Sequence, residues 1–166
     1  MAHVPQVALT ELVANAWDAG ATRVELILPS EIDGTLTITD DGHGMTPAQF
    51  KKRWMTLRYK REKHQGLNVE FPAGRVARPR TAYGRNGVGR HGLLCFADEY
   101  EVQTWRDGVL ATFVVATESG PSPFVLRSET LGQHDGTGTR LAVQVARKLP
   151  DADEILTVLA ARFVHD

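Results

Sequence analysis

The chain has 166 residues, 42% hydrophobic and 23% charged, which is the make-up of one globular domain with a real core. No apolar run approaches the ~20 residues that cross a bilayer, so no membrane span is expected. Net charge is -1, yet residues 51–90 hold 12 of the 19 Lys and Arg against two acids, Glu62 and Glu70, so an anionic partner is the first to consider.

The N-terminal run MAHVPQVALTELV lacks the order of a signal peptide, and the single Cys95 cannot close an internal disulfide. A reducing cytoplasm is expected from both. Leu9, Leu12, Val13 and Ala16 form one apolar stripe of a helix that Gly20 stops. Glu11, Asn15 and Asp18 fall within about 60° of one another on a second, polar stripe. That face is either solvated or a site for a hard cation and a water, since hard cations take oxygen ligands. Arg23–Leu28 alternates as a strand with Val24, Leu26 and Leu28 on one side. Asp33-Gly34 signals a turn, and Thr35–Thr39 is a second strand that runs into Asp40-Asp41-Gly42-His43-Gly44-Met45. Thr46, Pro47 and Gln49 start a helix continued by Phe50, Trp54 and Leu57. From Arg58 to Tyr83 periodicity is lost in a basic stretch with Pro72 and Pro79; it reads as a lid, spanning about 46–84 with the preceding helix.

Glycines 84, 87, 89 and 92 then precede a short apolar helix through Leu93, Leu94 and Phe96. Strands are expected at Tyr100–Trp105, Val109–Ala116, Phe124–Leu126 and Thr139–Val145. Asp107-Gly108 is a hairpin turn, and Gly132–Gly138 a loop. Asp151–Val164 closes the chain as a helix whose start resembles a capping box. The order predicts an α+β sandwich, one sheet against helices, in a single domain over 1–166.

Three glycine-containing constellations carry chemistry. At Asp40–Met45, Gly42 and Gly44 let a ligand approach the backbone. Asp40 is an acceptor suited to an exocyclic amine such as adenine N6, and Met45 is a soft wall for a base. At Gly84–Gly92, backbone N–H groups at a helix start form a phosphate cradle, with Arg85 and Arg90 adding charge. At Gly136-Thr137-Gly138-Thr139, a threonine hydroxyl can hold a water beside a base. Each alone also reads as an ordinary turn or loop.

Glu11-x-x-x-Asn15-Ala16-x-Asp18-Ala19, Asp40-x-Gly42-x-Gly44-Met45, Gly84-x-x-Gly87-x-Gly89 and Gly138-Thr139 stand in the order of the boxes of the GHKL superfamily. Over roughly residues 8–145 the chain resembles that group, nearest in motif style to heat-shock-chaperone, MORC and MutL-like ATPase domains. The resemblance implies the Bergerat fold, a two-layer α/β sandwich with a mixed, mostly antiparallel sheet, helices on one face and a long ATP lid. It implies ATP and Mg²⁺ as cofactors. Glu11 would be the general base and Asn15 the Mg²⁺ ligand. Asp40 would read the adenine amine, with Gly42, Gly44, Met45 and Thr139 in the base pocket. Gly84, Gly87, Val88 and Gly89 would cradle the phosphates, Asp18 would support the site, and Lys60 would face the phosphates from the lid. It further implies a slow ATPase within a larger protein, with flanking domains and a nucleotide-dependent homodimer as partners.

Three other readings compete. Gly87-x-Gly89-x-x-Gly92 fits a dinucleotide fingerprint, but the residues before it are too polar for a core strand. A histidine-kinase catalytic domain shares the ATP site, although no helix with a phosphoacceptor His precedes Glu11. A nucleic-acid-binding module would use the basic stretch as an exposed patch. The histidines and Cys95 lack metal-ligand spacing. His91 reads as an exposed loop residue or a phosphate contact, and Trp17, Trp54 and Trp105 read as packing residues.

Overall fold

The computed structural model describes residues 4–56, 68–75, 79–83, 89–120 and 123–163. Helix α1 (Pro5–Asp18) is followed by strands β1 (Val24–Ile27) and β2 (Thr35–Asp40), then helix α2 (Pro47–Arg53). A 3-10 helix (Gly89–Cys95), kinked at His91, leads into β3 (Glu99–Arg106), β4 (Val109–Thr117), β5 (Phe124–Gln133) and β6 (Gly138–Gln144). Helix α3 (Ala152–Phe163) ends the series.

The six strands form one sheet in the order β1-β2-β6-β3-β4-β5. Every pairing among the described strands is antiparallel, in line with the mixed, mostly antiparallel sheet that the resemblance implies. That excludes the dinucleotide-fingerprint reading, which needs a parallel βαβ unit. One face carries the core: Leu36 and Ile38 of β2, Val102 of β3, Phe113 of β4, and Leu141 and Val143 of β6 are at most 5% exposed. Leu9 and Leu12 of α1, Leu93 of the 3-10 helix and Phe50 of α2 cover them. Phe50 stacks on Phe113 with ring centroids 3.8 Å apart.

The ends of α1 and α2 follow local rules. Pro5 stands in the first turn of α1, and Gly20 ends it with φ +74°. There Gly20 N–H donates to Trp17 O and Ala21 N–H to Ala16 O, the paired bonds of a Schellman motif. Thr46 and Gln49 form the expected capping box on α2: Gln49 N–H donates to Thr46 Oγ1, and Thr46 N–H to Gln49 Oε1.

Both Asp-Gly pairs turn the chain, in different ways. Asp107 and Gly108 (φ +54° and +79°) make the two-residue hairpin turn between β3 and β4. Asp33 (φ +69°) and Gly34 also turn the chain, with Gly34 N–H donating to Glu31 O at 3.2 Å, though not as a two-residue hairpin. Strand β1 stops at Ile27, and this pair instead bonds to the end of β6 through Asp33 N–H to Val145 O and Val145 N–H to Gly34 O. Strand β5 runs to Gln133, not Leu126. It is an edge strand exposed from Arg127 onward, so it tolerates the polar run that reads as a loop.

Candidate functional site

The site has two ends, joined by α1. At one end, Asp40 closes β2 opposite Thr139 of β6, and Thr139 lies opposite Thr104 of β3. All three stand on the helix-covered face, in register with Ile38 and Leu141. Gly42 N–H donates to Asp40 Oδ1 at 2.9 Å. Burial pushes the Asp40 carboxyl up to about 7, with the neighbouring Asp41 charge adding to the rise and the Gly42 bond opposing it.

The glycines here are sterically required. A Cβ on Gly42 would lie 2.7 Å from Ala19 O, at the end of α1. Gly44 has φ +60°, and a Cβ there would run into the backbone carbonyl of Trp105. Met45, 8% exposed, donates its N–H to Thr104 Oγ1 at 2.8 Å, and that hydroxyl donates on to Gly138 O at 3.3 Å. The structure thus brings Asp40, Gly42, Gly44, Met45 and Thr139 together. It adds Thr104, which sequence reasoning missed because a strand threonine carries no signal of a partner 59 positions away.

At the other end, the 3-10 helix packs on α1. A Cβ on Gly89 would lie 2.6 Å from Glu11 Cβ, and one on Gly92 would lie 3.0 Å from Ala8 O. Glu11 and Asn15 are half-buried rather than solvated, and Asn15 Nδ2 is buried without a hydrogen-bond partner. Asp18 is 7% exposed and accepts the Tyr83 N–H on Oδ1 at 2.7 Å, so it holds the residue just ahead of the glycine segment. From Glu11 to Ala19 the helix rises about 12 Å. His43 N–H, bonded to Ala19 O at 2.8 Å, ties its end to the Asp40 turn.

Other expectations are corrected or fall outside. His91 is neither an exposed loop residue nor a phosphate contact. It is 4% exposed and stacks on Phe124 at 3.8 Å between centroids. Arg75 and Arg80 of the basic stretch are bound to the end of α1 rather than left free for a ligand. Arg75 donates to Gly20 O and Asp41 Oδ2, and Arg80 donates to Ala21 O with its guanidinium 4.1 Å from the Trp17 ring. Asp41 feels burial raising its pKa, but the N–H groups of Thr22 and Arg23, the Thr22 hydroxyl and Arg75 outweigh it and hold the carboxyl down at about 2. Lys60, Gly84, Gly87 and Val88 lie outside the described residues. A groove of about 530 Å³ on the opposite sheet face, bordered by Thr35, Glu101, Arg140 and Ala142, includes none of the predicted site residues.

Comparison with known proteins defines the class. The fold is that of the ATPase region of Saccharomyces cerevisiae topoisomerase II, solved bound to ICRF-187 (dexrazoxane): TM-score 0.61 at 17% identity, covering 95% of this chain and 43% of that one. Residues 3–120, more than half of the chain, match the family described as histidine kinase-, DNA gyrase B-, and HSP90-like ATPase, and the chain belongs to that family. It is 27% identical over 164 residues to HgiDII of Herpetosiphon aurantiacus, a candidate type II restriction enzyme, covering 92% of this chain and 25% of that protein. It is 49% identical over 47 residues to the DNA mismatch repair protein MutL of Agrobacterium fabrum, 28% of this chain and 8% of that protein. The chain therefore spans a quarter or less of the curated relatives it matches. No described helix is long and apolar enough to cross a membrane.

Proposed function

We propose that the chain binds ATP with Mg²⁺ along α1, hydrolyses it slowly, and uses nucleotide-dependent closure to drive a larger assembly that includes flanking domains of the same protein. Family membership implies ATP binding. The observation that carries the reading is the row Asp40–Thr139–Thr104, with Met45 hung on Thr104 beside it. An ionised carboxylate there accepts from an exocyclic amine, and the Met45 side chain offers an apolar wall to the ring.

The phosphates then lie toward Glu11, Asn15 and Gly89. Among the described residues no three His, Cys, Asp or Glu side chains stand together as a metal site. Asn15 would be the protein ligand of a Mg²⁺ ion that arrives with the phosphates, an amide oxygen being a donor a hard cation accepts. The buried, unpartnered amide end of Asn15 suits that role, because turning the amide about its last bond exchanges nitrogen for oxygen. Bound there, the cation would supply charge neutralisation on the phosphates. Glu11, one turn earlier on the same face, orients and deprotonates the attacking water.

Calorimetry with ATP, ADP and magnesium tests the binding; no heat from either nucleotide at millimolar concentration would sink it. Glu11→Ala is expected to abolish turnover while nucleotide affinity stays within about twofold, since the residue acts on water and not on the base. A nucleotide-dependent homodimer follows from the same reading, and sedimentation with and without a non-hydrolysable ATP analogue checks it. MutL is by name a DNA mismatch repair protein, which favours nucleic acid as a partner of the whole assembly. DNA binding that falls steeply with salt and persists without ATP would assign the basic stretch to that role.

A further inference from the structure

Three buried polar groups outside the proposed chemistry form a closed ring. Trp54 stands at the end of α2, His91 in the 3-10 helix and Tyr100 on β3. Trp54 Nε1 lies 2.8 Å from Tyr100 Oη, Tyr100 Oη 2.8 Å from His91 Nδ1, and His91 Nε2 3.0 Å from Trp54 O. All three side chains are at most 8% exposed.

Chemistry allows this ring one arrangement of hydrogens. A carbonyl oxygen only accepts, so His91 Nε2 carries the proton toward Trp54 O. His91 Nδ1 is then the acceptor of the neutral ring, and Tyr100 O–H donates to it. The indole N–H only donates, so it fills the remaining lone pair of Tyr100 Oη. Burial and the adjacent Arg90 push His91 down to about 4, which keeps the ring neutral and this arrangement intact at physiological pH.

The ring joins two segments 37 residues apart in sequence to one strand of the sheet. One is the last buried turn of α2, before the chain enters the basic stretch. The other is the 3-10 helix, whose first residue, Gly89, rests against Glu11. Phe124, stacked on His91, completes the grip from β5. A fully satisfied buried network holds geometry more tightly than apolar packing alone, because every displacement strands a donor or an acceptor.

We infer that Trp54, Tyr100 and His91 are positioning residues for the phosphate end of the site: they set the 3-10 helix so that the backbone N–H of Gly89, packed against Glu11, meets the terminal phosphate. This rests on the ATP-binding reading above. None of the three touches the ligand, and the base end, built on Asp40, Met45, Thr104 and Thr139, shares no bond with the ring.

That separation gives the test. Tyr100→Phe removes the hydroxyl from two of the three bonds and leaves the ring volume nearly unchanged. Expected is a loss of ATP affinity of about tenfold with ADP affinity changed less than about twofold, measured by calorimetry with magnesium on the full chain. Far-UV dichroism and a cooperative melt confirm that the variant folds. If it does not, Trp54→Phe, which removes the indole donor together with part of the ring, carries the same test with an expected ATP-selective loss of about threefold. His91→Gln, whose amide can donate and accept in the same two directions, should keep more ATP affinity than His91→Ala. Equal losses for ATP and ADP in a folded variant, or no loss of either, would overturn the inference while leaving the binding reading standing. Failure of the unaltered chain to bind either nucleotide would overturn both.

Discussion

Asp40 holds its carboxyl at a cost that pH reveals. Its pKa is about 7 in the fold against the ordinary carboxylate value of 3.8, so between those limits the folded state keeps a proton that the unfolded chain gives up. Stability from this group is therefore full below about pH 4 and is lost as pH rises through 7. At pH 8 the ionised carboxylate costs the fold on the order of 2–4 kcal/mol. Asp40→Asn keeps an oxygen for the Gly42 N–H and removes the charge. It should melt higher than the parent at pH 8, the gap should close near pH 4, and adenine-nucleotide binding should be lost at every pH. Melts across that range decide the matter; a variant no more stable than the parent at pH 8 would refute the account of a desolvated carboxylate. This residue was legible in sequence, since a carboxylate ending a strand before Gly-x-Gly is a local pattern. Thr104 and His91 were not. Their significance lies in partners on other elements, such as Met45 N–H for Thr104 and Trp54 O for His91, and local pattern does not report long-range hydrogen bonds.

Element by element, the chain was most readable where one residue fixes a backbone state. Gly20 ending α1, the Thr46–Gln49 box and the Asp107-Gly108 turn are such cases, each decided by its own local geometry. The limits of β5 were not readable, because an edge strand with an exposed face has no apolar alternation to mark it. The polar stripe of α1 stayed ambiguous for a related reason. Whether Glu11 and Asn15 face water depends on what packs over them, and that is the 3-10 helix through Gly89. Gly89→Ala tests this contact at the scale of two elements. Its Cβ would meet Glu11 Cβ at 2.6 Å and Oε2 at 2.8 Å, so either the carboxylate or the 3-10 helix must shift. Turnover should fall at least about tenfold, as a roughly 1 Å displacement of a positioned group costs more than that, while ADP affinity changes little. A folded Gly89→Ala variant with unchanged turnover would mean that Glu11 is not held by this contact.

For the whole molecule, the two ends of the site belong to one core. Leu9 and Leu12 of α1, Leu93 of the 3-10 helix, Ile38 of β2, Val102 of β3 and Leu141 of β6 pack in a single cluster. A ligand that spans the site therefore couples to global unfolding, not to a local loop. Charge does not decide the outcome alone, because Arg75 and Arg80 of the basic stretch neutralise Asp41 and cap the carbonyls of Gly20 and Ala21. Linkage gives the size of the effect: ATP at one hundred times its Kd stabilises the fold by about 2.7 kcal/mol, or roughly 5–10 °C in Tm for a chain of this size. Glu11→Ala should retain that rise, since its binding is intact. Asp40→Asn at pH 8 should start from a higher Tm than the parent and show no rise with ATP. This crossing, a more stable protein that has lost its ligand response, separates the function of Asp40 from its place in the fold. A thermal-shift titration of the three proteins at pH 8 measures it, and an ATP-dependent rise in Asp40→Asn equal to the parent's would remove Asp40 from the binding site.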